Sequence, residues 1–170
     1  VEGNTIDSNG NYICFEWGFE GDGGLTFIGS DDVYEIQLEG NVGYEGETFF
    51  KTSGGVALAI QNVASAGDNI ISSPYLYGGT YNLFTNTLPK MGIEVRFADP
   101  SDPKNFSKLS DNRTRAYFGE TLPNPQLVPF PILDIAKLGN EKGIPLIVDN
   151  TAAPITCRPF EYGAAVIVHS

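Results

Sequence analysis

From residue 53 onward the sequence switches repeatedly between two periods. Short apolar runs, "NIISS" (69–73), "IEVRFA" (93–98), "TRAYFGE" (114–120), "IPLIVDN" (144–150) and "AAVIVHS" (164–170), have strand composition. Between them, "SGGVALAIQNVASAG" (53–67), "GTYNLFTNTLPKMG" (79–92) and "PILDIAKLGNEKG" (131–143) space apolar residues three and four apart and stop near Gly67, Gly92 and Gly143. A strand that is apolar on both faces must be covered on both, and crossover helices provide that cover. The alternation predicts an α/β domain with a mostly parallel sheet and helices on both faces.

The first fifty residues obey a different rule. They hold eleven acidic side chains and no Lys or Arg, whereas residues 51–170 hold ten of each sign, so the net charge of -11 belongs entirely to the first segment. "NYICFEWGF" and "DDVYEIQLEG" alternate apolar and polar residues between the turn-forming stretches "GDGG", "IGSDD" and "EGNVG". The chain is expected to divide into an acidic β-meander, antiparallel, at 1–50 and an α/β domain at 51–170. A few acidic strands bury little alone, so the segment should pack on the rest of the chain.

This charge pattern lacks the basic stripe that nucleic-acid binding needs, and no apolar run reaches membrane-spanning length. Cys14 and Cys157 are far apart, and His169 is the single histidine, with no metal-like spacing to either, so a reduced, cytoplasmic setting with no metal is the simplest expectation. Val1, in place of Met, suggests a processed or cut piece, and the "NFS" and "NRT" triplets at Asn105 and Asn112 are of a kind that arises by chance.

The positions of the polar residues point to a site. Glu120, Asp149, His169 and Ser170 each close a predicted strand, and ligands of open α/β sheets bind beyond the carboxyl ends of strands. Helix starts gather on the same rim, including "TSGG" at 52–55, whose free N–H groups suit a phosphate. In "LYGGTYNLF" (76–84) an aromatic residue, Tyr77, precedes a glycine pair at a helix mouth, a flat surface beside backbone that a ligand can approach closely. Anion cradle, aromatic platform and acid together suit a phosphorylated planar cofactor with a basic ring nitrogen.

From about Ser53 to Ser170 the chain carries, in order, "SGG", "AGDNIISSPYLYGGTYNLF", "LPKMGIEVRFADPSDP", "GETLPNPQL", "GIPLIVDNT" and "CRPFEYGAAVIVHS". This series closely resembles the cysteine and methionine metabolism family of pyridoxal phosphate enzymes, most of all its O-acetylhomoserine sulfhydrylases. The resemblance implies the large domain of a type I pyridoxal phosphate enzyme, which would join sulfide to O-acetylhomoserine in methionine biosynthesis as a transferase or lyase. It also implies a homo-oligomeric full-length member, since the family's active sites form between subunits.

Residue by residue, it implies that Tyr77 stacks on the cofactor ring and that Ser53, Gly54 and Gly55 form the phosphate loop, with Gly55 in place of the usual Gln or Met. Asp149 would pair with the pyridine nitrogen, Asn124 would lie near the ring hydroxyl, Glu120 would support this part of the site, and Ser170 would contact phosphate. The plain alternatives are a surface aromatic at a helix mouth for Tyr77, a turn cap for Asp149 and a structural residue behind the site for Glu120. His169, Cys157 and Arg158 read as structural.

The family pattern continues "HSATK" to its Schiff-base lysine, and none of Lys51, Lys90, Lys104, Lys108, Lys137 and Lys142 matches that position. The expectation is a fragment or chimera, inactive alone, that binds cofactor weakly and without a covalent bond. The family's Tyr-x-Arg has no counterpart in residues 1–50. There, "GGLTFIGSDDVYEIQLEGNVG" faintly resembles the strand pattern of family 11 xylanases. The alternative reading is therefore a glycan-binding β module, with Tyr12, Trp17 and Tyr34 along a sugar groove, fused to a nonfunctional α/β piece; against it, these aromatics would form the core of a small sheet.

Overall fold

The structure, a computed structural model, describes residues 55–169 and, before them, the backbone of seven strands between Asn4 and Lys51. Each predicted run from residue 69 on is a strand: β8 (Asn69–Ser72), β9 (Glu94–Phe97), β10 (Thr114–Glu120), β11 (Leu146–Asp149) and β12 (Val166–His169). The helices are α1 (Gly55–Val63), α2 (Gly78–Asn82), α3 (Lys104–Leu109) and α4 (Ile132–Lys142). The second predicted helix is not uniform, since α2 passes into a π-helical turn over Leu83–Thr87 and a 3-10 turn over Leu88–Met91. Pro89 lies inside that last turn, and Gly92 ends it with φ of 80°, a left-handed conformation that glycine adopts without steric cost.

The earlier strands are β1 (Asn4–Asp7), β2 (Ile13–Phe15), β3 (Glu20–Gly21), β4 (Leu25–Ile28), β5 (Ile36–Leu38), β6 (Gly43–Tyr44) and β7 (Thr48–Lys51). Their pairing corrects the expected antiparallel meander. β1 pairs with β4, β2 with β5, β3 with β6 and β4 with β7, in each case parallel and with the strand three further on. Alternation of apolar and polar residues sets which face a side chain takes; it does not set strand direction, and the expectation of short hairpins was the step that failed.

The main sheet runs β1-β4-β7-β12-β11-β10-β8-β9, and all its neighbours are parallel. Its two faces carry separate cores. Phe118, Ile147, Val168 and Ile70 pack with Leu58 and Ile60 of α1 and with Phe84 and Leu88 on one face. Tyr117, Leu146, Val148 and Ile71 pack with Phe106 of α3 and Ile132 and Ile135 of α4 on the other. Adjacent residues of one strand therefore serve opposite cores, which is why these strands read as continuous apolar runs.

The strand order also fixes where a ligand can lie. The chain after β8 leads through α2 to β9 at the sheet edge, and the chain after β10 leads through α4 to β11 on the other side. These two connections cover opposite faces, so a crevice opens between the carboxyl ends of β8 and β10, at the topological switch point. No helix of the described residues is long and apolar enough to cross a membrane.

Candidate functional site

The residues at this crevice are held by the sheet itself. Glu120 is the last residue of β10 and Asp149 the last of β11, and the parallel register sets them opposite one another. Val168 of β12 is opposite Asp149, so His169 lies on the same rim, as the sequence led us to expect. The loop after β10 is tied down by the Thr121 N–H donating to the Asp149 carbonyl at 2.9 Å and the Phe130 N–H donating to the Thr121 carbonyl at 3.2 Å. Buried Asn150 accepts from the Thr121 hydroxyl at 2.8 Å and donates to the Cys157 carbonyl at 3.0 Å, joining this loop to the one after β11.

Glu120 is 7 % exposed. The Tyr77 N–H donates to it, 2.9 Å from each carboxylate oxygen. Burial pushes its carboxyl up to about 7; the charge of Asp149 acts in the same direction, while the bonds from Tyr77 and Thr80 oppose the rise. Asp149 is half-buried, and its Oδ1 accepts the Thr151 N–H at 2.9 Å.

Tyr77 stands at the mouth of α2 in an extended conformation, φ -57° and ψ 145°, and its ring is 60 % exposed. The chain reaches it through a turn in which the Ser73 N–H donates to the Phe118 carbonyl and the Tyr75 N–H to the Ser73 hydroxyl. The glycine pair has a steric reason at its second position: a Cβ on Gly79 would come within 2.8 Å of the Tyr77 ring.

Tyr77, Glu120, Leu122, Asn124, Asp149, Thr151 and Ala152 enclose a cleft of about 310 Å³. Four candidates from the sequence, Tyr77, Glu120, Asn124 and Asp149, thus converge on one space. Gly55 is buried as the first residue of α1, while Ser53, Gly54 and Ser170 lie outside the described residues, as do Tyr12, Trp17 and Tyr34. His169, Cys157 and Arg158 line a different cavity, and Arg158 is engaged with Glu161 at 3.2 Å. None of the described lysines lines the Glu120 cleft. The sequence reading missed Thr80, Leu122 and Thr151, although Thr80 and Thr151 stand inside the motifs "YGGT" and "VDNT" that drew attention to their neighbours.

The lining has a chemistry of its own. An exposed aromatic face, a carboxylate at the rim and an amide side chain suit a flat ring that carries a protonated nitrogen and a hydrogen-bonding substituent. The described residues therefore fit the ring end of pyridoxal phosphate.

Known proteins resemble this chain over most of its length. The family model for Cys/Met metabolism PLP-dependent enzymes, that is, enzymes dependent on pyridoxal phosphate, matches residues 37–170, beginning ahead of Lys51. The O-acetyl-L-homoserine sulfhydrylase of Leptospira meyeri is 48% identical over 114 residues, which is 66% of this chain and 26% of that protein. O-acetyl-L-homoserine sulfhydrylase 1 of Thermus thermophilus is 43% identical over 145 residues, 82% of this chain and 34% of that protein. The chain therefore spans about a quarter to a third of the length of these curated relatives.

Among solved structures, a putative O-acetylhomoserine (thiol)-lyase from Campylobacter jejuni, which contains a pyridoxyl-lysine phosphate, superposes with a TM-score of 0.64 at 42% identity. The match covers 66% of this chain and 28% of that one. The xylanase likeness of the first segment is not borne out, and the glycan-binding alternative finds no support. With its motifs in order, its parallel sheet and its family match over most of its length, the chain belongs to the Cys/Met metabolism family of pyridoxal phosphate-dependent enzymes.

Proposed function

We propose that this chain forms the ring-holding part of a pyridoxal phosphate-dependent sulfhydrylase that replaces the acetyl ester of O-acetylhomoserine with sulfide. The observation that carries the reading is the convergence of Tyr77, Asn124 and Asp149 on one cleft at the switch point. The names of the similar proteins support the substrate pair.

Bound there, pyridoxal phosphate supplies an electron sink for carbanion chemistry next to the amino group of the substrate. The residues of this chain bind and orient. The Tyr77 ring offers the stacking face, the Asp149 carboxylate keeps a proton on the ring nitrogen, and Asn124 takes the ring hydroxyl. Gly55, with Ser53, Gly54 and Ser170, is assigned to the phosphate end. We place the working enzyme in the cytoplasm as a homo-oligomer.

The test is Asp149→Asn in the intact protein, with cofactor affinity and homocysteine formation both measured. Removing one partner of a largely desolvated charge pair should weaken cofactor binding about a hundredfold and abolish turnover. Unchanged affinity would refute the assignment of Asp149, and failure of the unaltered protein to make homocysteine from O-acetylhomoserine and sulfide would refute the substrate pair.

A further inference from the structure

Glu120 lines the same cleft, yet its hydrogen bonds run to the protein. Both oxygens lie 2.9 Å from the Tyr77 N–H, so the group faces the mouth of α2. Tyr77 and Thr80 flank the glycine pair, and Gly79 is where any Cβ would strike the Tyr77 ring. A ring that is 60 % exposed gains little fixation from packing, so its position depends on the main chain that carries it. A nearly buried carboxyl oxygen that accepts an N–H has little competition from water.

We infer that Glu120 is a positioning residue that holds the Tyr77 platform in place through the Tyr77 N–H, without itself touching the cofactor. The inference rests on the reading of the cleft as the cofactor site. It separates two roles that proximity alone merges: Asp149 meets the ring, while Glu120 on the neighbouring strand holds the residue on which the ring lies. The strand register supplies the connection, because β10 ends beside both β8, which leads to Tyr77, and β11, which ends at Asp149.

The deciding experiment is a double-mutant cycle in the intact protein, with pyridoxine 5′-phosphate, which has no aldehyde to react, as the probe. Glu120→Ala should weaken the probe on the order of tenfold when Tyr77 is present and hardly at all in Tyr77→Ala. Glu120→Gln keeps an acceptor for the N–H and should restore most of the affinity together with the induced circular dichroism of the bound probe.

Amide hydrogen exchange without any probe should speed up at Tyr77 in Glu120→Ala and return toward normal in Glu120→Gln. Additive losses for Glu120→Ala and Tyr77→Ala, or a Tyr77 amide whose exchange ignores Glu120→Ala, would overturn the inference. Failure of the unaltered protein to bind the probe would overturn the cofactor reading instead, and amide exchange would then decide the role of Glu120 by itself.

Discussion

The two ends of the sheet use the same carboxyl chemistry in opposite ways. Where the strands begin, three acids have a cation: Arg96 bridges Glu94 and Asp111 at 2.7 Å each, and Arg115 reaches Asp68 at 3.0 Å. The Arg115 hydrogen bond lowers the Asp68 carboxyl, and Arg96 lowers those of Glu94 and Asp111. Where the strands end, Glu120 is buried next to another acid, and its carboxyl is pushed up to about 7. The difference teaches that one end is arranged for stability and the other holds a charge imbalance that a bound cation, such as a protonated ring nitrogen, would relieve.

The contrast has a sign in pH. Acids with lowered values stabilise the fold above the ordinary carboxylate range, and that contribution is lost as pH falls. Glu120 is the reverse: the folded state keeps a proton that the unfolded chain releases above about 4.5, so the advantage is present below that pH and lost as pH rises to about 7. Glu120→Gln should remove this second slope, which amounts to about 3 kcal/mol between its two ends. Urea unfolding of the two proteins at about pH 4.5 and about pH 8 measures it. A constant stability difference between the proteins would mean that the two ends are electrostatically alike after all.

Gly119→Ala sharpens the comparison sterically. Its Cβ would strike the buried Phe130 ring, whose backbone closes the loop that carries Asn124. Overpacking of this kind should cost about 1–3 kcal/mol and also weaken cofactor binding, measured by thermal unfolding and titration. At the other end, Arg96→Met should cost less than about 1 kcal/mol, because its pairs are partly exposed, and the loss should shrink in high salt. It should leave cofactor affinity unchanged; a change there would show that the ends communicate.

Much of this was readable before any coordinates. The runs around Ile71, Tyr117 and Val148 announced strands covered on both faces, and the motifs singled out Tyr77, Asn124 and Asp149, which line one cleft. Two matters were not readable. The pairing of strands three apart before Lys51 was missed because residue alternation does not encode direction. The hold on Tyr77 was missed because it joins residues 43 positions apart, and no local pattern records such a bond.

The sequence by itself determined the five strands after Gly67 and the helices α1 and α4, the rim on which Glu120, Asp149 and His169 lie, and the family to which the chain belongs. These follow from short-range periodicity and from motifs read in order. Only the tertiary structure decided that Glu120 and Asp149 are opposite in register, that burial pushes the Glu120 carboxyl up to about 7, and that its oxygens meet the Tyr77 N–H. Those depend on which strands become neighbours and how much water they exclude, and both quantities exist only once the chain has folded.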